Sequence, residues 1–216
     1  MSKHFEDELQ DLHSDILKMG TLAEEAIARS IAALRGQDRL LAQNVIDQDS
    51  RIDALELVID DKCLDMIACH QPMAKDLRFL ATGMKLNAEL ERIADLAVDI
   101  AQRVLELADK PLLKPLVDIP KLESLAQNMV KTAIDSFIKQ DSALARNVIL
   151  MDPEADRLKR LIQNELINDY IVKDGTLASR AVPLLLVARH LERICDHATY
   201  IAEDVIYMVK GEVVKH

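Results

Sequence analysis

Four pairs of carboxylates in this 216-residue chain stand at helical i, i+4 spacing: Asp49 with Asp53, Glu91 with Asp95, Asp152 with Asp156, and Glu192 with Asp196. Asp99 extends the second pair by a further turn. Like charges at that spacing on a helix repel by roughly 0.2–0.5 kcal/mol per pair. A penalty repeated four times calls for compensation. One source is a hard cation, since all-oxygen ligand sets suit magnesium, manganese, calcium and iron better than structural zinc. Another is internal, because Arg92 and Arg193 sit directly beside Glu91 and Glu192. A solvated acidic face is the third account, and spacing alone does not choose among them.

The pairs belong to a duplication. Leu90-Glu91-Arg92-Ile93-Ala94-Asp95 recurs about a hundred residues on as Leu191-Glu192-Arg193-Ile194-Cys195-Asp196. Upstream, Asp38, Leu41-Ala42, Val45-Ile46, Asp49 and Asp53 recur as Asp141, Leu144-Ala145, Val148-Ile149, Asp152 and Asp156. The neighbours of these positions are not held: Glu56 and Asp60 correspond to Lys159 and Gln163. At about 100° per residue, with Leu86 at zero, Leu90, Ile93, Ala97, Ile100 and Val104 cluster on one stripe. Glu91, Asp95 and Asp99 fall near 140°, 180° and 220°, which predicts outward-facing acidic rows.

The elements that must carry these rows are helical. Hydrophobic residues make up 50% of the chain, only 3% is aromatic, and there is no Trp and only five Gly, a composition of helices and not of a sandwich. Leu9, Leu12, Ile16, Met19, Ala23, Ala26, Ser30 and Leu34 step by three and four along a first helix that ends near Gly36. Asp38 is placed to cap the second, which runs toward His70 and stops at Gln71-Pro72. A third runs from about Met73 to Leu107. Pro111, Pro115 and Pro120 mark a connection, followed by helices near 122–139, 141–172 and 176–210. Pro153 should kink or restart the fifth with Asp152 as cap, and Pro183 should kink the last. The expected fold is all-α: two tandem three-helix bundles, residues 1–110 and 121–216, joined by a linker at 111–120.

The net charge of −10 argues against nucleic acid, which needs clustered Lys and Arg. Cys63, Cys69 and Cys195 contain no C-x-x-C, which implies a reduced, cytoplasmic protein without disulfides. Met1 to Asp7 is polar and acidic, unlike a signal peptide. The longest apolar run, Ala181 to Ala188, is too short for a bilayer, so membranes are met only through partners.

A carboxylate-bridged metal enzyme is the competing reading of the acidic rows. Helical di-iron sites use Glu-x-x-His, and none of His4, His13, His70, His190, His197 or His216 has Asp or Glu three residues before it. Nucleotide cradles and nucleophile elbows have no matching motif, and neither a Gly-rich loop nor an Arg cluster prepares an anion site. No catalytic constellation is visible.

Three strings carry a family likeness: Gln71-Pro72-Met73-Ala74-Lys75-Asp76-Leu77-Arg78, Glu91-Arg92-Ile93-Ala94-Asp95, and His190-Leu191-Glu192-Arg193-Ile194-Cys195-Asp196-His197-Ala198. With the duplicated three-helix layout and the tail Ile201 to Tyr207, they make the whole chain resemble the PhoU family of phosphate-uptake regulators. The resemblance implies a cytoplasmic, homodimeric adaptor, not an enzyme. It would link the ATPase subunit of a phosphate ABC transporter to a sensor histidine kinase and hold phosphate-starvation signalling off when phosphate is plentiful. It also implies a multinuclear cluster of iron, manganese or magnesium on Asp49, Asp53, Glu91, Asp95 and Asp99, and on Asp152, Asp156, Glu192 and Asp196. Tyr200 stands where a counterpart of Asp99 would be, so the second set is expected to be poorer in ligands.

Overall fold

A computed structural model of the chain describes residues 3–214; the outer limits of the two expected units, Met1 and His216, lie outside them. Six long helices follow one another: α1 (Lys3–Gly36), α2 (Arg39–His70), α3 (Lys75–Leu107), α4 (Asp118–Lys139), α5 (Ser142–Glu165) and α6 (Ala178–Lys210). A π-helical turn, Leu166–Ile171, extends α5, and a short 3-10 turn, Gly175–Leu177, leads into α6. Among the described residues there is no strand.

The same local grammar opens both halves. Gln37 and Gln140 adopt the left-handed conformation, with φ of 50° and 51°. Each is followed by an aspartate whose amide closes back onto the preceding helix, Asp38 onto the Ala33 carbonyl at 2.9 Å and Asp141 onto the Ser136 carbonyl at 2.8 Å. Both carboxylates then cap the next helix: Asp38 accepts from the Leu41 amide, and Asp141 from those of Ala143 and Leu144. Gly36 is thus the last residue of α1, and the left-handed step falls on Gln37.

Helices α1 to α3 pack on one another, as do α4 to α6, and the halves meet through α3 against α6 and α1 against α4. Helix α2 touches only α1 and α3, while α5 touches α4, α6 and the π-helical turn. The outer helices therefore frame two grooves, α2/α3 and α5/α6. One continuous apolar core fills the interior, including Leu12, Ile16, Met19, Ile27, Leu90, Ile93, Phe137 and Leu191.

Several expectations are corrected. Helix α4 begins at Asp118, inside the expected 111–120 linker, because Pro120 lies in its first turn, where proline is tolerated. Pro153 neither restarts α5 nor leaves Asp152 as a cap; the helix runs through it. Its exposed ring meets no packing obstacle, and buried Val148, Ala155 and Leu158 hold both sides of it. Helix α6 likewise runs through Pro183, and the Ser179 carbonyl that proline strips of its donor accepts instead from Lys110 Nζ at 3.3 Å. No described helix is long and apolar enough to cross a membrane.

Gly20 lies on the side of α1 that packs against α4: a Cβ there would run into Ile134 Cδ1. Gly20→Val should therefore destabilise the protein by about 1–3 kcal/mol through overpacking, measured by denaturant unfolding. A neutral result would mean that the two helices separate freely at this point.

Candidate functional site

The α2/α3 groove collects acid. Asp49 is half-buried on α2, and its pKa rises to about 6, first through burial and then through Asp53 and Asp95. Glu91, 18% exposed in its side chain, is pushed up to about 7 by burial, then Asp95, with Glu56 and Asp53 adding and Arg92 opposing. Glu56 is raised as well, by burial and then by Asp60 and Asp53. The sequence placed the α3 row outward. It is half-buried instead, because α3 packs against α1, α2 and α6, and its exposed stripe runs through Ala88 and Arg92 beside the acids.

Glu56 and Asp60, which follow Asp49 and Asp53 along the same stripe of α2, belong to the electrostatic cluster, although their duplicates do not carry charge of the same sign. Asn87, fully buried one turn before Glu91, donates to the Glu56 carbonyl at 2.8 Å and to Asp60 Oδ1 at 3.0 Å. Its own Oδ1 finds no partner. Arg92 is the counter-charge within reach, 3.3 Å from Asp95 Oδ2 and 3.6 Å from Glu91 Oε2, but it is largely exposed. Asp99 leaves the cluster: it faces His190 Nδ1 on α6 at 3.7 Å. His197 on α6 similarly meets Glu89 on α3. Both histidines lie on the seam between the two halves.

The α5/α6 groove is built differently. Asp152, Glu192 and Asp196 all bear on Cys195, so three of the four duplicated acids gather around one position of α6. Here, however, Lys159 lies between the helices, its Nζ 2.8 Å from Glu192 Oε1 and 3.3 Å from Asp156 Oδ1. Arg160 reaches the other Asp156 oxygen at 3.3 Å. The hydrogen bond to Glu192 raises the Lys159 pKa and fixes the ammonium in its charged form. Alongside runs a groove of about 570 Å³ whose walls include Gln163, Leu185, Arg189 and Arg193. Arg189 and Arg193 are one turn apart, so an arginine pair exists after all. It is set on α6 by the same i, i+4 spacing as the acids.

For a hard cation the first groove fits in charge and donor type, with the unpartnered Asn87 oxygen beside it. Among the described residues, no three His, Cys, Asp or Glu converge into a ready-made ligand shell, so coordination there requires side chains to swing inward. The second groove does not fit in the same way, since Lys159 and Arg160 already pair with its Glu192 and Asp156. The cavity beside Asp49 holds about 20 Å³, room for a water and not for a substrate. Cys63 is buried and pushed up to about 12, and Cys195 is raised further in the same direction, so neither thiol is poised as a nucleophile. The competing enzyme reading gains no support.

Comparison with known proteins places these features in a lineage. The family model for the PhoU domain matches residues 16–104 and again residues 119–205. A phosphate-specific transport system accessory protein PhoU homolog of Aquifex aeolicus is 42% identical over 97% of this chain and 94% of its own length. The crystal structure of PhoU from Pseudomonas aeruginosa superposes with a TM-score of 0.91 at 37% identity, covering 96% of this chain and all of that one. The phosphate transport system regulatory protein PhoU from Streptococcus pneumoniae gives the same TM-score at 26% identity, over 98% of this chain and all of that one.

Proposed function

Because the chain belongs to the PhoU family, we propose that it is a regulatory accessory protein of phosphate-specific transport and not an enzyme. The observation that carries this reading is the likeness along the entire chain, at 42% identity, to a protein described in those terms. Within that role it acts as a cytoplasmic homodimeric adaptor between the transporter's ATPase subunit and a sensor histidine kinase.

The test is genetic. Deleting the protein should switch on phosphate-starvation genes in phosphate-rich medium, and restoring it should silence them. Normal repression in the deletion strain would overturn the reading.

A hard cation at Asp49, Asp53, Glu91 and Asp95 is the second part of the proposal, supported by the crowding that raises Asp49 and Glu91. Elemental analysis of protein purified without chelator, with Mn²⁺-induced thermal stabilisation of the metal-stripped form, decides it. An equal thermal shift in Glu91→Gln would place any bound ion elsewhere.

A further inference from the structure

The duplication suggests two equivalent cation sites, and the two grooves disagree with that. We infer that the second groove is closed to multivalent cations by a cation of its own, the Lys159 ammonium, so that the two halves of the duplication have diverged into one ion-responsive face and one self-neutralised face.

The geometry supports this at each contact. Lys159 projects from α5 at the position where α2 carries Glu56. Its Nζ hydrogen-bonds Glu192 across the groove at 2.8 Å and lies 3.3 Å from Asp156 on its own helix. It thus joins the two helices through the carboxylates that a cation would need. Both oxygens of Asp156 are engaged, Oδ1 by Lys159 and Oδ2 by Arg160. Glu192 keeps only 16% of its side chain exposed and Lys159 25%, so the contact is largely withdrawn from water. An ammonium is a compact charge with three donors, and its tether holds it at high effective concentration. A divalent ion entering here must expel it into a groove already lined by Arg189 and Arg193. In the first groove nothing equivalent stands between the helices: Glu56 adds charge of the wrong sign, and Arg92 reaches its carboxylates from the exposed rim at 3.3 and 3.6 Å.

Calorimetric titration with Mn²⁺ tests this independently of the first groove. The parent for the test carries Asp49→Asn and Glu91→Gln, which remove charge from the α2/α3 face. That parent should give no binding heat. Adding Lys159→Gln should create a site at least tenfold tighter than any residual binding, whereas adding Lys159→Arg should not. Circular dichroism confirms that each variant is folded, and Lys159→Ser replaces Lys159→Gln if that variant is not. Binding by the parent that disappears with Glu192→Gln overturns the inference, because the groove would then be open with its lysine in place. Silence of the folded, charge-removed variant overturns it equally, because the lysine would then not be what closes the face. Neither result bears on whether the protein represses phosphate-starvation genes.

Discussion

Phe137→Ala lowers the unfolding free energy by about 3–5 kcal/mol, the usual cost of emptying a buried aromatic site. Phe137 is wholly buried on α4 and stacks on Phe79 of α3, with ring centroids 4.7 Å apart and planes 23° from parallel. Gly83, one turn after Phe79, also borders the ring: a Cβ there would sit in ordinary contact, 3.5 Å from Phe137 Cζ, with Ile16 and Cys63 close behind. One side chain from the second half therefore plugs a space walled by α1, α2 and α3. The cavity left by alanine cannot collapse without moving helices of both halves. Urea unfolding followed by circular dichroism reads the loss as a lower midpoint. A cost below about 1 kcal/mol would show that the halves do not share this core.

The second large effect is a reversed pH dependence. Asp49 and Glu91 have folded pKa values of about 6 and 7, above their ordinary 3.8 and 4.5. Between those limits the native state holds more protons than the unfolded chain, so stability falls as pH rises. It is highest where both carboxyls are protonated, and the relief is lost as pH climbs through 6 and 7. Metal-free protein should therefore melt at a lower temperature at pH 8 than at pH 5.5, by about 2–4 °C for each kcal/mol of repulsion restored. His13 and His190, whose pKa values burial lowers, act in the opposite direction at the acid end. The readout is accordingly the difference between the wild type and Asp49→Asn/Glu91→Gln, in which the slope should flatten. An unchanged slope would remove the α2/α3 groove as its source.

The sequence makes the helices legible because their signals are local. A three-and-four apolar step, an aspartate after a turn, and a Gln-Pro stop each act within a few residues; Asp38 caps as its type dictates, and α2 stops at Gln71, although in the left-handed conformation. Pro153 defeats local reasoning because neighbours buried by tertiary packing outweigh the broken backbone bond. The site is half legible for a related reason. A helical wheel assigns one buried face, but α3 is packed by three helices, so Glu91 sinks into a groove instead of facing water. Asp99 turns toward His190 because that histidine arrives from α6, a partner that spacing along α3 cannot disclose. Asn87 joins the cluster through contacts between helices. Lys159 was visible as the position where the duplication changes sign, yet only the distance to Glu192 shows what the change accomplishes.

The segment between α3 and α4 is fastened at both ends. Gln37 at the end of α1 donates to the Lys110 carbonyl, Arg180 in α6 to that of Pro111 at 3.3 Å, and Lys114 pairs with Glu165 at the end of α5. Its backbone is therefore held by residues from both halves, and it has little freedom to straighten into a hinge. Exchange of a half between two copies, a common route to intertwined dimers, would first have to break these fastenings and then the shared Phe137 core. Self-association of this chain is accordingly confined to the meeting of finished surfaces, and its strength should vary with salt and surface charge without the slow kinetics of unfolding and re-threading.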